Sequence, residues 1–242
     1  MYSPLKHKLI LRRWIAWLGV VLFVITVYHL ARPAATAASP SKKAYPVRGI
    51  DMSHYNRIVN FDTLASKVDF MFFRASHGLR RDTAFSGFYR KAVKAGVPVG
   101  VYHYFRFDVD GEAQAHNFIK AIKGKKFEFP VVIDVEQHGN STKVKPKTII
   151  ARLKAMVNVM EQNGYKVMFY TNKHGYKNYI EKNFQKYPLW ICSFTDPPIN
   201  ANWVFWQFSH SGKIKGARGK VDLDTYNGSR KQFKKKFPKR KR

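Results

Sequence analysis

From Val47 onward, the chain alternates short runs of β-branched and aromatic residues with helix-like segments. Eight runs read as strands, over residues 49–53, 70–76, 100–105, 131–136, 167–171, 189–193, 204–209 and 221–226. Between the early runs lie five helical segments, over residues 61–67, 84–95, 111–122, 147–162 and 174–184. Gly96, Gly124 and Gly164 follow three of them and act as ordinary helix stops. After the fifth helix, the connections are too short for another. Strand and helix in alternation predict parallel strands with helical crossovers, and eight such strands in about 180 residues fit a closed barrel. The predicted fold is therefore α/β, an irregular TIM-like barrel of five β/α units followed by three strands.

In barrels of this kind the chemistry sits at the C-terminal ends of the strands. The run Phe129-Pro130-Val131-Val132-Ile133-Asp134-Val135-Glu136 carries two carboxylates two positions apart, so both emerge on one face, roughly 6 to 7 Å apart along the backbone. Neighbouring carboxylates resist ionising together, so one can hold a proton near neutral pH while the other stays charged. An isolated Asp-x-Glu is equally read as a strand-end cap. Asp51 at the end of the first strand and Asp222 in the last add two further acids, because first and last strands are neighbours in a closed barrel. Tyr102, Tyr104, Tyr170, Trp190, Trp206 and Gln207 fall on other strands and are expected at the same rim. Aromatic rings among carboxylates suit a carbohydrate, whose rings stack and whose hydroxyls bond.

The chain has 242 residues, 45% of them hydrophobic, enough to bury a full core. Its formal charge is +29, with 44 Lys and Arg against 15 Asp and Glu, which favours polyanionic surroundings. Trp14 to Leu30 is an uncharged apolar stretch preceded by Lys6, Lys8, Arg12 and Arg13. This stretch targets the chain to a membrane and places everything after Ala31 outside the cytoplasm. It is either an uncleaved transmembrane anchor or a signal peptide, with a small-x-small cleavage site at Ala35-Thr36-Ala37. Residues 1–31 are thus the anchor or signal, 32–46 a linker rich in Pro, Ala and Ser, 47–228 the barrel, and 229–242 a basic tail. The tail holds 9 basic residues in 14 and no acid. It reads as a solvated end that attaches to anionic wall polymers or phospholipid head groups.

Other chemistries have less support. The single cysteine, Cys192, forms no intramolecular disulfide and reads as a buried thiol. The histidines follow no metal-ligand spacing, and neither a phosphate-binding Gly-x-x-x-x-Gly-Lys loop nor a Gly-x-Ser-x-Gly elbow is present. No cofactor and no specific nucleic-acid partner is expected.

Taken in order, these pieces resemble glycoside hydrolase family 25, the muramidases that cut the β-1,4 bond between N-acetylmuramic acid and N-acetylglucosamine in peptidoglycan. Gly49-Ile50-Asp51-Met52-Ser53 is similar to the family's opening Gly-x-Asp-x-Ser, and Gly100-Val101-Tyr102-His103-Tyr104 to its Gly-x-Tyr-His-Phe. Asp134-Val135-Glu136 resembles its Asp-x-Glu, and Trp206-Gln207-Phe208 with Val221-Asp222-Leu223-Asp224 its closing segments. The resemblance implies Glu136 as general acid, Asp134 as the neighbouring carboxylate, Asp51 and Asp222 as the two further acids, and peptidoglycan as substrate. It also implies departures: Arg74-Ala75-Ser76-His77-Gly78 stands where Lys-Ala-Thr-Glu-Gly is frequent, so His77 replaces a rim acid. A membrane-tethered protein that binds glycan without cleaving it is the alternative reading.

Overall fold

The computed structural model describes residues 40–195 and 202–238. The apolar stretch 14–30, the expected cleavage site and residues 239–242 lie outside them. Among the described residues, no helix is long and apolar enough to cross a membrane.

The strands are β1 (Arg48–Met52), β2 (Arg57–Ile58), β3 (Phe70–His77), β4 (Arg80–Arg81), β5 (Val99–Tyr104), β6 (Val131–Val135), β7 (Val167–Asn172), β8 (Leu189–Cys192), β9 (Trp203–Gly212), β10 (Ala217–Arg218) and β11 (Val221–Tyr226). The helices are α1 (Phe61–Ala65), α2 (Phe85–Ala95), α3 (Gly111–Ile122), α4 (Pro146–Gln162), α5 (Lys173–Gly175) and α6 (Arg230–Lys236). Eight strands close into a barrel in the order β1, β11, β9, β8, β7, β6, β5, β3, with β3 pairing back to β1. All eight strands expected from the sequence are present.

Seven of these strands run parallel, as expected, but β11 is antiparallel to both β9 and β1. The link from β9 to β11 is too short for a crossover and makes a hairpin-like return instead. Direction decides where an acid lands. In a descending strand the rim lies at the N-terminal end, so Asp222, the second residue of β11, reaches the same end as Asp51 and stands opposite it in the register.

Strand parity sorts side chains into two cores. Outward residues such as Ile50, Met71, Phe73, Val99, Ile133 and Phe169 pack under the helices. Inward residues, including Phe70, Phe72, Phe129, Val132, Met168, Trp190 and Phe205, fill the lower barrel. These rings need room: a Cβ on Gly49 would stand 2.2 Å from the Phe70 ring, and one on Gly100 would stand 2.1 Å from Phe72.

Two expectations fail. The fifth helix is three residues of α5 continued by a five-residue π-helical turn, Tyr176–Ile180, rather than a helix over 174–184. The tail is not a free end at residue 229. Ser229 and Gln232 form a reciprocal cap, and α6 turns Phe233 and Phe237 into the barrel floor. Their rings meet Phe70, Phe129, Phe205 and Tyr226 at centroid distances of 4.8 to 6.0 Å. Counting charges hid this, because the two phenylalanines four apart make one apolar stripe on a helix whose other face is basic. Ser39–Arg242 form one compact unit. Every residue of both cores lies after Pro40, so this unit folds around its own interior.

Candidate active site

At the C-terminal end of the parallel strands, the barrel opens into a cleft of about 1060 Å³. Asp51, Asp134, Glu136 and Asp222 all line it, as do Tyr102, Tyr104, Tyr170, Trp190, Gln207 and His77. Inward parity puts them there: Asp51 from β1, Tyr102 and Tyr104 from β5, Asp134 and Glu136 from β6, Tyr170 from β7, and Gln207 from β9. Asp134 is buried, whereas Glu136, one residue past the end of β6, is partly open to solvent.

Trp206 departs from the expectation. Its neighbours in β9, Phe205 and Gln207, point inward, so its own indole faces out. There it packs with Ile191 and Phe208 and donates from Nε1 to the Ser193 carbonyl at 2.7 Å. It is an outer-layer packing residue.

The buried polar groups form a directed chain. The Tyr170 hydroxyl donates to Gln207 Oε1 at 2.8 Å, and Gln207 Nε2 donates to Asp51 Oδ2 at 2.6 Å. Gln207 is thereby fixed with its amide toward the acid. Trp190 Nε1 donates to Asp224 Oδ1 at 2.9 Å, which brings a fifth carboxylate into the cluster. Asp224 shares the inward parity of Asp222, the signal by which the sequence could have disclosed it. Asp134 Oδ1 and Asp224 Oδ2 are buried without a hydrogen-bond partner.

Five acids in one low-dielectric site hold their protons tightly. Burial raises Asp51 well above the carboxylate range, with the charges of Asp222 and Asp224 adding to it and Gln207 opposing. Burial likewise raises Asp134, with Glu136 adding and Arg74 opposing. Glu136 is pushed up to about 7, mainly by burial, with His138 pulling down and Asp222 pushing up. Asp222 rises to about 6, again through burial. Burial also raises the hydroxyls of Tyr102 and Tyr170, so both stay neutral donors.

Several cleft residues escaped the sequence reading. Arg74 continues the inward parity of Phe70 and Phe72 on β3, donates from Nε to Asp82 at 2.9 Å, and lies 2.6 Å from His54 Nδ1. Tyr55, 77% exposed, stacks on His54 at 4.0 Å and stands under the Arg74 guanidinium at 5.3 Å. On other walls stand His138, Lys173, Phe194 and His210. His77, in the place of the rim acid, has its edge against Tyr104 at 4.8 Å, and burial lowers its pKa. Among the described residues, no group of His, Cys, Asp and Glu could hold a metal ion.

A closed β/α barrel with proton-holding carboxylates in a sugar-sized cleft is the architecture of a glycoside hydrolase. Residues 50–217 match the model of glycosyl hydrolases family 25, and the chain belongs to that family. It is 28% identical over 209 residues to the uncharacterized protein YegX of Escherichia coli K12, covering 82% of this chain and 76% of YegX. It is 30% identical over 186 residues to the autolytic lysozyme of Clostridium acetobutylicum, covering 75% of this chain and 56% of the lysozyme. The structure of a family 25 glycosyl hydrolase from Bacillus anthracis superposes with a TM-score of 0.71 at 30% identity, over 79% of this chain and 93% of the other.

Proposed function

We propose that the chain is a muramidase acting outside the cytoplasm, which hydrolyses the β-1,4 bond between N-acetylmuramic acid and N-acetylglucosamine in peptidoglycan. The observation that carries this reading is the meeting of Asp51, Asp134, Glu136 and Asp222 in one cleft with Glu136 poised at about 7. The autolytic lysozyme of C. acetobutylicum supports the choice of substrate. The apolar stretch Trp14 to Leu30 supports the location.

Glu136 is the general acid. It carries a proton near neutral pH and is the most open of the acids on β6 and its continuation, so it can reach the oxygen of a bound glycosidic link. As that oxygen leaves, positive charge grows on the sugar ring. A cation among buried carboxylates reverses the forces that hold their protons, so Asp134, Asp51 and Asp222 gain stability as anions when the charge appears. Gln207 and Tyr170 position Asp51 for this, and Trp190 anchors Asp224 behind it. Tyr55 and Phe194, at the outer walls, offer faces for sugar rings.

The test is to digest purified peptidoglycan, reduce the products with borohydride and hydrolyse them to single sugars. Cleavage at the proposed bond converts N-acetylmuramic acid into its alcohol. Alcohol derived from N-acetylglucosamine instead would reject the assignment.

A further inference from the structure

The end of the barrel opposite the cleft is strongly basic. Helices return to the sheet there, so Lys94 at the end of α2, Lys126 before β6 and Lys166 before β7 all emerge at this end, each exposed. Across it lies α6, with Phe233 and Phe237 inward and Lys231, Lys234 and Lys235 exposed. The acids at this end are engaged: Asp69 pairs with Arg230, Glu128 accepts from the Val99 amide at 2.7 Å, and Glu161 accepts from Tyr187 at 2.9 Å. Among the described residues, none of the three α6 lysines takes part in an ion pair. The chain from the N-terminus also enters at this end, at the start of β1, and Trp14 to Leu30 precede that entry in the sequence.

We propose that this basic end is a docking face for an anionic phospholipid bilayer, with α6 lying along the head groups and the cleft opening away from the membrane. The inference rests on the reading of Trp14 to Leu30 as a membrane-targeting segment. Three features favour lipid over a wall polymer. The exposed lysines of α6 share one face, as contact with a plane requires. The face surrounds the point where the tethered chain arrives, so any membrane that holds the tether is brought against it. Lysine is a compact point charge, suited to phosphate head groups at no fixed angle. A protein held in this way keeps its mouth toward the glycan above the membrane rather than toward lipid.

The experiment uses the unit from Ser39 to Arg242, without the apolar stretch, and vesicles of phosphatidylcholine alone or mixed equally with phosphatidylglycerol. The unit is expected to sediment with the mixed vesicles at low salt, to be released by high salt, and not to sediment with phosphatidylcholine. Replacing three lysines by Lys231→Gln, Lys234→Gln and Lys235→Gln is expected to weaken partitioning roughly hundredfold. Its melting temperature and its hydrolysis of soluble glycan fragments should be unchanged. Failure to sediment with the mixed vesicles, or equal sedimentation of the triple variant, overturns the proposal. Sedimentation with purified walls but not with vesicles overturns it in favour of a wall polymer. Hydrolysis is measured separately, so loss of membrane binding with turnover intact leaves the muramidase reading standing.

Discussion

Burial that raises Glu136 from its ordinary 4.5 to about 7 acts on stability as well as on catalysis. The folded state holds this proton more tightly than the unfolded chain, so the stabilising contribution is complete below pH about 4.5 and disappears as pH rises through about 7. Glu136→Gln keeps the shape and removes the titration. The variant is expected to melt above the wild type in mildly alkaline buffer, by roughly 3 kcal/mol of stability, and level with it in mild acid. Thermal melts across that range decide it. The same proton sets the activity profile: kcat/KM on soluble glycan should fall above pH about 7, as Glu136 ionises. Trp206 and Trp190 make a contrasting pair. Trp206→Phe loses an outer hydrogen bond, so about 1 kcal/mol of stability should go while kcat and KM hold. Trp190→Phe strips Asp224 of its donor and should lower kcat.

At the scale of elements, parity along a strand carried most of the information about the site. Asp51, Asp134 and Tyr102 were legible as inward residues because their strands are short and bounded by turn residues. Trp206 was misread because the Trp-Gln pair was taken as one feature, although adjacent residues on a strand face opposite ways. Asp222 was placed correctly although β11 runs the other way, since the acid lies near the strand's beginning and the beginning is at the rim. The role of α6 was illegible from composition, where two phenylalanines count for little among basic residues. They seal the barrel floor, and Phe237→Ala is expected to cost about 3 to 5 kcal/mol in chemical denaturation. The glycines of β1 and β5 are a second structural need. Gly100→Ala drives a Cβ into the buried Phe72 ring and should destabilise by about 1 to 3 kcal/mol or more.

For the whole molecule, the barrel separates two kinds of charge. Carboxylates that hold their protons gather at the open end, and lysines free of ion pairs gather at the sealed end. This polarity joins hydrolysis and placement: one end needs low dielectric and shared protons, and the other needs exposed cations near a tether. The account depends most on Glu136 giving its proton to the glycan. Its most direct test is the release of reducing ends from purified peptidoglycan by the wild type and by Glu136→Gln at neutral pH, with equal folding confirmed by circular dichroism. A fall of about a hundredfold or more in the variant is the predicted result. Turnover within a few fold of the wild type, or no turnover by the wild type itself, would contradict it.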